Sequence, residues 1–233
     1  MKILLLLLCL IAAAAFWFYT SKNKNLVKAP NDFVMINTGK ETNKHLPLVD
    51  AGWILSLEQK YASKPWKAYP NEYTDQSEIL CNQVYEPWKG EVSHATFMSD
   101  MTNEQKLYFA LINFESQTNN GGVYQFLFNY PELAIIALEA MEQAKMPRLA
   151  NDYRKVLNEY FGKFDTIKEL NNRFQDGSSS WDKQWNTFAD GYKELTTTDV
   201  IEDYFYKKEF IKEFSEAMVG FVKDNQESLY KVK

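Results

Sequence analysis

The apolar residues of this chain recur at helical spacing, and this periodicity constrains its fold more than any other feature of the sequence. One stripe at positions i, i+3, i+4 and i+7 consists of Leu107, Ala110, Leu111 and Phe114. Thr102 and Gln105 precede it with the spacing of a capping box, in which each residue bonds the backbone of the other. The segment is therefore predicted to be an amphipathic helix beginning just after Thr102.

Similar stripes with helix-start signals cover most of the body. Pro131 and Pro147 stand where helices are expected to begin, and pairs with capping-box spacing occur at Asp75 and Glu78 and at Asp199 and Glu202. The last pair is predicted to cap the longest helix, which would end near residue 223. No alternating apolar and polar run bounded by hairpin turns stands out. The expected fold is all-α: a single multi-helix, bundle-like domain.

A hydrophobic segment precedes this body. Residues 3–19 are seventeen consecutive apolar or aromatic residues, which predicts either an uncleaved membrane anchor or a signal peptide cleaved after the alanines at 13–15. The predicted organisation is a membrane anchor or signal segment at 1–20, a tether at 21–48 and the helical domain at 49–233. The body is accordingly expected to be membrane-anchored or exported, outside the cytoplasm in the bacterial envelope.

The charge balance indicates what kind of partner the body could bind. The chain has 26 basic and 31 acidic residues, and four of the lysines lie before residue 31, where no acid occurs. The remainder therefore has 22 basic residues against 31 acidic ones. Because such a surface repels phosphates, we expect no direct binding of nucleic acid and expect a protein partner instead. The sequence does not indicate the oligomeric state.

The most unusual local feature lies between two predicted helices, at residues 119–129. Its glycines and asparagines tolerate left-handed backbone angles, so the segment is predicted to end one helix and begin a short next one. A second interpretation is a polar cluster that binds a ligand or partner. The candidate residues for that site are Glu115, Asn120, Gly121, Gly122, Gln125 and Asn129.

This pattern resembles the uncharacterised bacterial domain family that includes a DNA mimic protein. The resemblance rests on Glu115, the Asn-Gly-Gly turn at 120–122, Gln125 and Asn129, and extends over about residues 53–225. It implies an all-helical fold and, for that member, an acidic surface that imitates DNA and occupies a DNA-binding protein. It implies no catalysis.

Enzyme templates are largely missing from the sequence. Both histidines, His45 and His94, lack metal-ligand spacing, and there is no nucleophile elbow, P-loop or dinucleotide fingerprint. No cofactor and no metal site are therefore expected. The prediction is a membrane-tethered, non-enzymatic protein-binding module that neutralises or inhibits a basic protein. Two alternatives stay open: an envelope hydrolase or ligand-binding protein that uses the Glu/Asn/Gln cluster, and a DNA mimic that acts on a DNA-binding protein.

Overall fold

The computed structural model describes residues 33–36, 46–62, 69–80, 94–175 and 195–233, and these residues are mostly helical. The helices are α1 (Ala51–Tyr61), α2 (Tyr69–Leu80), α3 (His94–Phe97), α4 (Asn103–Asn129), α5 (Ala134–Gln143), α6 (Pro147–Phe161), α7 (Ile167–Gln175), α8 (Asp199–Phe205), α9 (Lys208–Asp224) and α10 (Gln226–Leu229). Short 3-10 helices at Met98–Asp100 and Pro131–Leu133 precede α4 and α5. The predicted helical, bundle-like fold is confirmed.

A small pair of strands departs from the all-α prediction. Strands β1 (Leu48–Val49) and β2 (Lys231–Val232) are parallel, with Leu48 opposite Lys231 and Val49 opposite Val232. Each strand has two residues, too few for an alternating pattern to be recognised in the sequence. The pair joins the segment before α1 to the segment after α10.

Helix α4 forms the centre of the core, where it packs against α5 and α8. Phe114 is fully buried, and its ring makes edge-to-face contacts with Phe126 and Tyr153, with 5.1 Å between ring centroids in each case. The Tyr153 hydroxyl donates to the carbonyl of Ala134 at 3.0 Å. This cluster joins α4 to α5 and α6 within one core.

The capping box at the start of α4 is present. The Gln105 amide donates to Thr102 Oγ1, and the Thr102 amide donates to Gln105 Oε1, both at 3.0 Å. The same two side chains donate to the carbonyls of Ser228 and Leu229. The two residues of the capping box therefore also hold the C-terminal segment against α4.

Two predicted helix boundaries are wrong. Helix α2 begins at Tyr69, so Asp75 lies inside it, where its carboxylate accepts hydrogen bonds from Lys60 and Tyr61 at 2.8 Å instead of capping. The predicted long helix from residue 199 to 223 is two helices, α8 and α9. It breaks because Lys207 adopts an extended backbone, with φ −102° and ψ 124°.

Part of the predicted tether at 21–48 contacts the helical body. Phe33 and Val34 are buried, and the Val34 amide donates to the carbonyl of Glu132 at 2.9 Å. The ring of Phe33 packs on Phe161 and Phe174. Residues 33–36 therefore contribute to the core.

The predicted localisation needs correction. In the part of the chain that the structure describes, no helix combines the length and the apolar character needed to cross a bilayer. This finding contradicts a body that is membrane-anchored or exported, and we do not retain that prediction. The hydrophobic segment at 3–19 lies outside the described residues.

Candidate functional site at the glycine kink

Two glycines interrupt α4 near its C-terminal end. Gly121 has φ −158° and ψ 27°, and Gly122 has φ 79° and ψ 176°. The second conformation is essentially restricted to glycine, because a Cβ would collide with the neighbouring backbone. The kink divides α4 into a long first arm (103–120) and a short second arm (123–129). The turn predicted from the glycines is thus present.

Glu202 of α8 holds the kink from outside α4. Its Oε1 accepts a hydrogen bond from the Val123 amide at 3.1 Å, which satisfies a donor at the start of the second arm. The carboxylate lies within contact distance of the point that a Cβ on residue 122 would occupy. Gly122 is therefore required both by its backbone angles and by the approach of Glu202.

This contact corrects the role predicted for Glu202. We expected Glu202 to pair with Asp199 in a capping box on its own helix. In the structure Thr198 precedes α8 and makes no side-chain capping bond, while Glu202 caps the second arm of α4. The partner lies 79 residues away in sequence, so helix-start spacing could not identify it.

Hydrogen bonds divide the predicted site residues into two groups. Gln125 and Asn129 both donate to Oε1 of Gln117, at 2.8 and 2.7 Å. Glu115 instead accepts from Asn119 at 2.6 Å. The sequence analysis did not select Gln117 or Asn119, because an amide on a helix margin carries no signal until its partners are known. A single site formed by all the candidate residues stays a prediction.

Metal binding has no visible basis in the described ranges. Among these residues, no three His, Cys, Asp or Glu side chains come close enough together to hold a metal ion. Asn120 is exposed at the kink, whereas Glu115 and Gln125 are half-buried. The arrangement offers amides and one carboxylate at a protein surface, which suits hydrogen bonding to a partner.

Burial gives Glu115 an unusual electrostatic environment. Desolvation raises the pKa of its carboxyl above the usual 4.5, and the hydrogen bond from Asn119 only partly opposes that effect. The folded protein therefore keeps the Glu115 proton to a higher pH than the unfolded chain does. As pH rises through this interval, the unfolded state binds fewer protons and stability falls.

Glu115→Gln should consequently stabilise the protein relative to the wild type, and the gain should be larger at pH 7 than at pH 4. The amide oxygen still accepts from Asn119, while the cost of burying a charge is removed. Urea denaturation midpoints at the two pH values measure the difference. An equal effect at both would contradict the prediction.

Glu169→Gln is a control with the opposite sign. A hydrogen bond from the Asp165 amide and the ion pair with Arg173 lower the pKa of Glu169. Its charge stabilises the folded state above the unfolded-state pKa, and that contribution is lost as pH falls. Glu169→Gln should therefore destabilise the protein at pH 7, by less as the pH approaches 4.

The outward face of α8 adjoins the kink and is acidic. Asp199 and Asp203 are exposed and lie one helical turn apart, and Tyr206 follows at the end of the helix with 86% of its surface exposed. Val200 beside them is half exposed. Within the described ranges no Lys or Arg forms an ion pair with either aspartate. We define Asp199, Val200, Asp203 and Tyr206 as the α8 surface.

The position of the α8 surface is fixed by contacts with two other helices. Glu202 bonds the kink in α4, and the Tyr204 hydroxyl donates to Asp152 of α6. The carboxylate of Glu159 in α6 accepts hydrogen bonds from Thr196 and Thr197, just before α8. The α8 surface is thus held in place before any partner arrives.

Comparison with curated proteins found no match, and comparison with solved structures found none either. A family model described as DMP19-like protein matches residues 99–225, which include α4 with its kink and α8. The match confirms the resemblance drawn from the glycine turn, although it begins later than the predicted residue 53. Because it spans more than half of the sequence, the chain belongs to the DMP19-like protein family.

Proposed function

We propose that this chain binds a protein partner through the α8 surface, and that the partner presents a basic surface of the kind that binds nucleic acid. The observation that carries the proposal is the pair of exposed aspartates, Asp199 and Asp203, which form no ion pair with a described Lys or Arg. Unpaired charges of one sign attract a surface of the opposite sign and speed its association.

The apolar residues of the α8 surface support a protein partner. Tyr206 and Val200 are exposed beside the aspartates. Tyrosine is enriched among the residues that contribute most to the binding energy of protein interfaces. Because α8 is held by Glu202 and Tyr204, little conformational entropy would be lost on binding. Acidic and aromatic groups on one rigid helix suit a partner whose own site recognises a phosphate backbone.

Family membership supports the same class of partner. The resemblance implies, for a member of the family, an acidic surface that imitates DNA and occupies a DNA-binding protein. The acidic excess of this chain has the sign that such a role requires. The proposal therefore unites the neutralising partner and the DNA mimic suggested by the sequence.

The test compares two double variants in affinity capture at low salt. Asp199→Asn with Asp203→Asn should weaken the capture of the partner about tenfold, since two exposed ion pairs of up to about 1 kcal/mol each are lost. Asp100→Asn with Glu227→Gln is the matched control, because both acids are exposed. Asp100 lies just before α4, and Glu227 is in α10, which packs near the start of α4. That end of α4 is about 25 Å along the helix from the kink, so these changes should leave capture unchanged.

Two further measurements separate this function from others. Duplex DNA should compete with the chain for the captured protein, and raising the salt should release it, because the contact is between charges. Capture that resists both treatments, or that the control variant abolishes equally, would contradict the proposal.

A further inference from the structure

A second candidate site is lined by none of the residues of the kink or the α8 surface. A cavity between α1, α2, α9 and the C-terminal segment is lined by residues that include Trp53, Leu57, Glu72, Gln76, Lys223 and Tyr230. Its volume is about 30 Å³, enough for about two water-sized groups. Its lining is mostly apolar with a few polar groups, which is typical of a pocket that orients one functional group.

The carboxylate of Glu72 is buried in this cavity. Glu72 is 3% exposed, and its Oε1 lies 3.0 Å from Nζ of Lys223. The side chain of Lys223 is 57% exposed, so the lysine reaches the carboxylate from the rim. Glu58 also lines the cavity. Two carboxylates and one basic side chain thus line the cavity, which gives it an excess of negative charge.

Gln76 also lines the cavity and has an unsatisfied polar atom. It is 6% exposed, and its Oε1 has no hydrogen-bond partner among the described residues. Buried acceptors of this kind are normally satisfied in native proteins. An occupant with hydrogen-bond donors would satisfy it.

We propose that this cavity binds a primary alkylammonium group. The ammonium has three N–H donors, and Glu72 and Gln76 provide acceptors that can receive them. An ammonium with its first methylene matches the size of the cavity, while Trp53 and Tyr230 are aromatic side chains of the type that attract cations. This site is independent of the α8 surface.

Titration with n-butylammonium chloride tests the proposal on the full chain, by calorimetry and by the NMR signal of the Trp53 indole N–H. Saturable binding that shifts this signal is expected, and 1-butanol, which has the same shape without the charge, should bind at least tenfold more weakly. Glu72→Gln should weaken n-butylammonium binding at least tenfold, because it removes the charged acceptor.

Lys223→Met provides a variant with the opposite effect. It removes the cation that shares Glu72 but keeps an unbranched side chain, so n-butylammonium should bind severalfold more tightly. Glu216→Gln removes an acid of α9 that pairs with Lys212 and does not line the cavity, and it should leave affinity unchanged. If Glu72→Gln fails to fold, Gln76→Leu replaces it and should also weaken binding.

Nα-Acetyl-lysine amide identifies the source of the ammonium. Its α-amino and carboxyl groups are blocked, and its side-chain ammonium is free. Binding as tight as that of n-butylammonium supports the side chain of a protein, and binding of n-butylammonium alone supports a free amine. Equal binding of 1-butanol, no change with Lys223→Met, or the absence of saturation would overturn the proposal.

Discussion

Gly122→Ala should lower the free energy of unfolding by about 2–4 kcal/mol. The backbone of residue 122 is in a region that costs other residues about 1–3 kcal/mol, and the new Cβ would displace Glu202 from the Val123 amide, a cap that is worth about 1 kcal/mol. Denaturation in urea, followed by circular dichroism, measures the loss.

Two other glycines provide matched controls for this prediction. Gly121 has an extended φ, and the point that its Cβ would occupy lies against the Gln125 side chain, closest to the flexible amide end, so Gly121→Ala should cost less than about 1.5 kcal/mol. Gly220 lies inside α9 with open space around it, and Gly220→Ala should stabilise the protein by about 0.5–1 kcal/mol. A Gly122→Ala variant as mild as Gly121→Ala would show that Glu202 does not depend on the glycine.

Phe114→Ala should cost about 3–5 kcal/mol, the largest loss we expect from a single side chain. The ring is fully buried between Phe126, Tyr153 and Phe205, so its removal leaves a cavity and breaks aromatic contacts on three helices. Because Phe126 is on the second arm of α4, the variant also removes a contact between the two arms. Thermal and urea denaturation of the purified protein measure the loss.

Tyr153→Phe and Tyr206→Ala separate the causes of that loss. The first keeps the ring and removes only the hydrogen bond to Ala134, which should cost about 0.5–1.5 kcal/mol. The second changes an aromatic residue that is largely exposed and should alter stability by less than about 0.5 kcal/mol. Equal losses for Phe114→Ala and Tyr206→Ala would contradict the central position of Phe114.

The features that sequence predicted correctly are those whose partners are close along the chain. Thr102 and Gln105 cap each other across one turn, and the prolines at 131 and 147 begin helical segments as expected. The glycine turn was also predictable, since Gly122 adopts the positive φ that its residue type allows. Helical stripes then follow from local spacing, and the fold class follows from the stripes.

The features that sequence missed depend on tertiary contacts. Asp75 and Glu202 both have the spacing of helix caps, yet Asp75 binds Lys60 and Tyr61 from another helix and Glu202 binds the kink. Gln117 is identified only by the structure, in which the side-chain amides of Gln125 and Asn129 both donate to it. A capping signal specifies which bonds a side chain can make, and the packing of distant helices determines which bond it makes.

The parallel contact between β1 and β2 has a consequence for biosynthesis. Residue 231 emerges from the ribosome about 180 residues after residue 48, a delay of roughly 10–40 s at ordinary rates of translation. Until then Leu48 and Val49 have no strand partner, and the capping side chains Thr102 and Gln105 lack the carbonyls of Ser228 and Leu229. The nascent chain therefore completes its fold only when translation has passed residue 232.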